Sequence, residues 1–549
     1  MIRADIVKLY KTVHTWTGIT CSFALFIAFY AGALTMFQGP IARWASPPAV
    51  GVAAVSLDDA PRLLELVAAA HPQARKDGIK LYLRGHENEP ARVTWEEDEP
   101  HEAGQPHGHV HWWATLNPDG TLLAKQEEPS ELAEFINDVH MRVGIPKPWG
   151  PYFMGVVSLL YGVALISGVI VLVPSLIKDL FALRVGKNLK RMWLDAHNVV
   201  GVTALPFHIA MALTAAALSL SGPLWSAQER VIFGGKQAIL DDLDNEPFRV
   251  PKPTGEAGAM MPPAQLLQRL KVQVPDLEPR FLVFKNFGDK AASVRVPGAE
   301  RGYVGDFHLG GIMLSAVTGE VLKDGSLPSR QDPDRRASET FYGLHTGQYD
   351  GATITWAYFL LGFSGAWLFY SGNLLWIETR RKNARKDGEV EQSRSTRLMG
   401  SATVGVCLGC VAGLSLTIVA AKWLHGRVGD LNAWHAYVYY AVFYGSVTWA
   451  FAWGAARAAV HLLWLCAAFT VAIPLTTLLA WNFPVLGMWA HGSAATIGVD
   501  VVAFIGGLCF AWMAIATAWR VKHGRADSIW SIRKGNDHTG HEPVAIAAE

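Results

Sequence analysis

Charge is scarce in this chain. Only 17% of its 549 residues are Asp, Glu, Lys or Arg, and the two signs nearly cancel to a formal net charge of +1. That balance excludes a nucleic-acid partner held by electrostatics. Cysteine is scarce as well, and all five residues (Cys21, Cys407, Cys410, Cys466, Cys509) fall in apolar runs. Disulfides are therefore not expected in the polar segments, which must fold on their own cores. Cys407 and Cys410 form a C-x-x-C without a βαβ context, so plain packing is the expectation there. No G-x-G-x-x-G opens a βαβ unit, and neither a P-loop nor an H-E-x-x-H occurs. The chain thus carries no recognisable nicotinamide or flavin domain and no ATPase. Any electrons it handles must come from a partner or from the quinone pool.

What the chain has in excess is apolar length. Hydrophobic residues make up 51%, too many for a soluble domain of this size. Runs long enough to cross a bilayer occur at 15–37, 152–173, 199–221, 353–377, 400–421, 435–454, 459–481 and 499–519, so about eight transmembrane helices are expected. The short segments between alternate runs are basic. They hold Arg3, Lys8 and Lys11; Lys178, Arg184, Lys187, Lys190 and Arg191; Arg380, Arg381, Lys382, Arg385 and Lys386; and Arg520, Lys522 and Arg525. Such segments stay cytoplasmic, which puts both termini inside the cell. The first run is longer than a signal-peptide core and lacks a small-x-small site after it, so it is expected to remain in place.

Two long polar inserts interrupt the first four runs, and they read alike. Residues 38–151 hold a helix after Pro61, then strands at 79–83, 91–95, 111–116 and 121–123, then a short helix at 130–143 ending near His140. Residues 222–352 hold a helix after Pro262, strands at 280–284, 292–296, 311–314 and 317–322, then a short segment ending at His345. Each pattern is a small α+β unit. The expected organisation is a first repeat at 1–173, a basic loop at 174–198, a second repeat at 199–377, and another basic loop at 378–398. An added four-helix module follows at 399–519, with a tail at 520–549. Two copies running in the same direction imply a pseudo-symmetry axis along the membrane normal.

Histidines mark the repeats. His14-Thr15-Trp16-Thr17-Gly18 opens the first run and His197-Asn198-Val199-Val200-Gly201 opens the third. Imidazole is costly in hydrocarbon unless it binds something. The repeat pairs His14 with His197 near the cytoplasmic face, and His140 with His345 just outside the other. Two imidazoles facing each other across a bundle suit a bis-histidine haem. His208 lies eleven residues after His197, about 20° from the same face of an unbroken helix. His208–His345 and His140–His345 are both compatible with an outer site. Gly18 and Gly201, one turn from their histidines, would let a flat macrocycle approach the backbone. Lys11, Lys190 and Arg191 would suit its propionates. A transition metal is another ligand for imidazole. The tract around His101, His107, His109 and His111 is a weaker metal candidate, and His425, His435, His461 and His491 have no support from the repeat.

The chain resembles the PepSY-associated transmembrane family. The resemblance rests on Val13-His14-Thr15-Trp16-Thr17-Gly18, on Ala196-His197-Asn198-Val199-Val200-Gly201 with Leu205-Pro206-Phe207, on Leu344-His345-Thr346-Gly347, and on the two inserts. It covers roughly residues 5–380. It implies an α-helical integral inner-membrane protein with periplasmic PepSY-like inserts, similar to the reductases of ferric siderophores. Such a protein holds two b-type haems and passes electrons to a periplasmic ferric chelate, releasing Fe(II). Ligand roles then fall to His14, His197 and His345, and to His140 or His208. The electron donor, a quinol or a cytoplasmic reductase, is left open. So are two rival functions: a permease for the chelate or metal, and a non-catalytic regulator whose inserts bind a partner. The last four runs lie outside the resemblance.

Overall fold

A computed structural model describes residues 3–48, 55–83, 92–98, 109–127, 130–176, 189–232, 234, 250–301, 311–324, 326–331, 333–347, 351–386, 392–525 and 528–532. The first apolar run belongs to a longer helix, α1 (Ala4–Thr35), which absorbs the basic lead-in. A turn leads to the short α2 (Gln38–Ala45). The first insert gives α3 (Ala60–Ala70), α4 (Pro72–Asp77), β1 (Ile79–Tyr82), β2 (Val93–Asp98), β3 (His109–Leu116), β4 (Leu122–Glu127) and α5 (Leu132–Arg142). The second span is α6 (Trp149–Leu172).

The third run departs from expectation. It is two helices, α7 (Leu189–Thr203) and α8 (Leu205–Ser219), bent by 69°. Pro206 in the first turn of α8 has no N–H to continue the ladder, which accounts for the break at Ala204. An unbroken helix with His197 and His208 on one face is therefore not what forms. The chain continues as α9 (Ser221–Val231) and then the second insert: α10 (Pro263–Gln273), β5 (Leu277–Pro279), β6 (Phe281–Lys285), β7 (Ser293–Glu300), β8 (Gly311–Ser315), β9 (Val321–Lys323) and α11 (Pro333–Thr346). The fourth span is α12 (Ala352–Lys386). The added module is α13 (Arg394–Leu424), α14 (Leu431–Trp453), α15 (Ala455–Asn482) and α16 (Ala494–His523).

Among the described residues six helices are long and apolar enough to cross a membrane, or seven if α7 and α8 count as one span. The sequence reading of eight included α14. Its Trp- and Tyr-rich sequence keeps it out of that set, yet it runs the thickness of the module. Gly400 near the start of α13 lies against Ala455 at the start of α15, so α14 brings the chain back to the same face. A glycine stripe lets α13 and α14 touch. A Cβ on Gly405 would lie 2.8 Å from Val447 Cα, and one on Gly413 2.9 Å from the Tyr439 ring, with Gly409 between them against Ser446. Small residues four apart serve this close approach in apolar surroundings, where helices gain little from hydrophobic association.

The two inserts are not separate units. Their strands form one antiparallel sheet in the order β4-β3-β2-β1-β6-β7-β8-β9, with β5 beside β7. The junction is β1 against β6, with Ile79 opposite Phe284 and Leu81 opposite Leu282. All four side chains are buried. Leu63, Leu64 and Val67 of α3 and Leu266 and Leu270 of α10 complete the same core. Each insert on its own would leave an inner edge unpaired, that of β1 in the first and of β6 in the second; pairing the two edges removes that liability.

The module is tied to the N-terminal part of the chain through α2. Lys422, 2% exposed, places Nζ 3.6 Å from the centre of the Trp44 ring and donates to Trp489 O at 3.1 Å. Trp44 Nε1 donates to Asp500 at 2.9 Å, and Trp489 Nε1 donates to Trp44 O. The lysine thus has a ring face and a carbonyl as partners at a depth where a bare ammonium is costly.

A shared core predicts shared unfolding. Leu282→Ala should cost about 2–5 kcal/mol, and limited proteolysis on heating should cut sites in both inserts at the same lowered temperature. Cleavage confined to the second insert would mean the two fold independently.

Candidate functional site: two histidine pairs

Each histidine of the repeats is held by its own helix hairpin. His14 on α1 donates from Nδ1 to Ala164 O of α6 at 2.8 Å. His197 on α7 has Nδ1 2.9 Å from Ser371 Oγ of α12. The Ser371 hydroxyl itself donates to Leu368 O at 3.0 Å, so its oxygen is left to accept. His140 on α5 donates from Nδ1 to Ala28 O of α1 at 2.7 Å. His345 on α11 has Nδ1 3.0 Å from Thr214 Oγ1 of α8, and that hydroxyl is spent on Ala210 O at 2.7 Å. The four environments impose one tautomer: the proton sits on Nδ1, and Nε2 keeps its lone pair. An imidazole held in this way already makes the outer hydrogen bond that a metal-ligating histidine needs.

The four rings also meet in the expected pairs. His14 and His197 have ring centres 6.5 Å apart with planes at 74°. His140 and His345 have centres 5.9 Å apart with planes at 33°. A metal–imidazole bond is about 2 Å and each ring centre lies about 1 Å behind its nitrogen, so two imidazoles on opposite sides of one metal place their centres about 6 Å apart. Both separations fit an iron between two histidines. All four rings keep some exposed surface although they lie within the helix bundle.

The flanking glycines divide into two kinds. A Cβ on Gly18 would meet nothing within 4 Å, and one on Gly201 only Leu368 at 3.8 Å. Open space therefore lies one turn beyond His14 and His197, where a macrocycle would need it. Gly32 and Gly168, which sequence reasoning passed over, do a different job. A Cβ on Gly32 would stand 2.7 Å from His140 Nδ1, and one on Gly168 2.9 Å from His14 Cε1. These glycines give the rings room to reach their carbonyl acceptors.

His140 was expected just outside the membrane. It lies lower, because α5 packs along α1 and brings the ring level with Ala28, seven residues before the end of α1, or about 10 Å. The two pairs are separated along α1 by the fourteen residues from His14 to Ala28, about 21 Å. Between them sits an aromatic cluster: Phe29 touches Tyr161, Phe207, His208 and Phe369 with centres 5.6–6.3 Å apart. His208 is fully buried there, with Nδ1 2.7 Å from Tyr161 OH. Its Nε2 has no hydrogen-bond partner among the described residues. His345 thus faces His140, and His208 faces Tyr161.

Among the described residues no group of three or more His, Cys, Asp or Glu could hold a bare metal ion. The weaker candidates are dispersed. His101 and His107 lie outside the described residues. His109 opens β3 opposite Asp98, and His111 has Nδ1 3.6 Å from Glu96. His435 stands 3.5 Å from Ser130 Oγ, His461 accepts from Trp449, His491 donates to Ser46 O, and His425 packs on Trp489. Of the three cations proposed for propionates, Lys190 and Arg191 line a cleft beside α12, and Arg191 pairs with buried Asp195 at 3.0 Å.

The outer hydrogen bonds should be measurable in ligand retention. Ser371→Ala leaves His197 Nδ1–H without an acceptor and should weaken the hold on a metal at Nε2 about ten- to hundredfold. Gly32→Val should displace His140 outright. The check is the metal or haem content of each purified variant, with the helical content unchanged by circular dichroism.

A sequence model of the PepSY-associated TM region matches residues 11–379. No curated protein matches the chain.

Proposed function

The chain belongs to the PepSY-associated TM family, and we propose that it is a di-haem inner-membrane reductase that delivers electrons across the bilayer to a ferric siderophore in the periplasm. The observation that carries this reading is the doubled histidine pair, each ring with its proton fixed on Nδ1 and its partner about 6 Å away. Histidine pairs of this kind hold haem b, which supplies one-electron redox chemistry when bound. His14 and His197 would hold the haem near the basic face, and His140 and His345 the one near the sheet.

The chain's own residues set the conditions. Ala164, Ser371, Ala28 and Thr214 keep the imidazoles neutral and oriented. The Phe29 cluster fills the interval between the pairs and excludes water from it. On this reading the basic segments lie in the cytoplasm, as positive charge requires. The fused sheet stands over the outer pair in the periplasm and presents the substrate. A ferric siderophore is a hard-oxygen chelate; taking its iron to Fe(II) weakens the oxygen ligands and releases the metal. The two halves of the sheet and the two hairpins are read as repeats about an axis along the membrane normal. The donor is a quinol or a cytoplasmic reductase.

One observation favours a second reading, a permease for the chelate or its metal. The 69° break between α7 and α8 is the kind of discontinuous span that lines transport sites.

Proteoliposomes separate the two. With a reductant sealed inside and a ferric hydroxamate chelate outside, Fe(II) should be trapped outside by a ferrous-specific dye. His197→Ala and His345→Ala should each lower that rate at least about a hundredfold, since breaking either pair interrupts the only route across. Iron appearing inside the vesicles without a reductant would instead establish the permease.

A further inference from the structure

A long cavity of about 2470 Å³ runs beside the histidine bundle, between it and the added module. One wall is α1 and α12, with Tyr30, Phe363 and Tyr370; the other is α13, α15 and α16, with Val411, Ile473 and Phe510. Its volume is well beyond the roughly 300–1,000 Å³ of a site for a small soluble ligand. Its wall is mainly apolar along the spans, with the Ser415 and Thr470 hydroxyls partway, and its charged residues lie at one end. There α7 begins and α12 and α16 finish, placing Lys190, Arg191, Arg381, Arg520 and Arg525 around the mouth. Among the described residues two carboxylates answer these five cations: Glu378 in the lining, which Arg381 engages at 2.6 Å, and Asp195, which pairs with Arg191 at 3.0 Å.

We infer that this cleft is a binding site for an anionic phospholipid with several acyl chains, seated as a structural wedge between residues 11–379 and the added module. Two observations converge on that occupant. The volume and apolar wall suit hydrocarbon chains. The cations sit together at one end of the spans, the level of a headgroup. A surplus of positive charge between membrane helices on the basic side is how phosphate-bearing headgroups are recognised. The neighbouring contacts give the wedge a purpose. Direct packing between bundle and module joins α1 and α12 to α13, with Phe26, Ala366, Cys407 and Cys410 in one core, and extends to the far end, where Lys422, Trp44 and Asp500 meet. Near the basic end the lipid would occupy the gap they leave. The inference is independent of any haem.

The test uses the full chain purified in mild detergent. Native mass spectrometry and phosphate analysis should find anionic phospholipid retained after washing. Cardiolipin in mixed micelles should raise the melting temperature more than dioleoylphosphatidylcholine does. Arg520→Gln combined with Arg525→Gln should weaken cardiolipin binding about thirtyfold, at about one headgroup contact per cation. Gly506→Phe, which projects into the cleft from α16 where a Cβ meets only Thr470 at 3.7 Å, should expel the lipid while leaving the charges in place. Equal stabilisation by the zwitterionic lipid would overturn the proposal. So would a stoichiometric isoprenoid quinone in the cleft with cardiolipin binding unchanged in the arginine variant.

Discussion

The architecture depends on a hydrogen bond that an imidazole must make in the absence of water. A histidine within a helix bundle carries one N–H that has to be satisfied by protein. Here that bond is made four times at Nδ1, twice to main-chain carbonyls and twice to hydroxyls already committed as donors elsewhere. The consequence is chemical as well as structural, since every ring spends Nδ1 on that bond and keeps Nε2 out of it. Gly32 and Gly168 exist on the opposing helices because any side chain there would occupy the ring's position.

The sheet extends the same logic to the outer domains. Neither insert has disulfides to hold it, and each on its own would leave one inner edge, β1 or β6, unpaired. Joining β1 to β6 gives both halves a common core and fixes the two hairpins relative to each other at that end. His140 and His345 hang from the helices that return from the two halves. The hydrogen-bond partners on α1 and α8 hold the two rings 5.9 Å apart.

Much of this was legible in the sequence. The H-x-x-x-G echo named His14 and His197, and the matched segments before the second and fourth spans named His140 and His345. Strand positions in both inserts followed from alternation and turn residues. What was not legible has physical causes. The acceptors Ala164 and Ala28 act through main-chain carbonyls, which carry no residue signature. Ser371 and Thr214 look like ordinary small polar residues of a membrane helix. The fusion of the inserts is a pairing between strands about two hundred residues apart, beyond any local pattern. The break at Ala204 was signalled by Pro206, but a proline inside an apolar run was read through rather than as a stop. The sequence expectations took no account of Gly405, Gly409 and Gly413, whose four-residue spacing lets the Trp- and Tyr-rich α14 pack on α13.

The central claim is that each histidine pair holds one haem independently. The most direct measurement is a pyridine haemochrome count on purified protein, in the wild type and in His14→Ala and His345→Ala, with haem supplied during expression. The account predicts two haems b per chain in the wild type and one in each variant, with the remaining haem still low-spin. A colourless wild type, or a variant that loses both or neither, would contradict it.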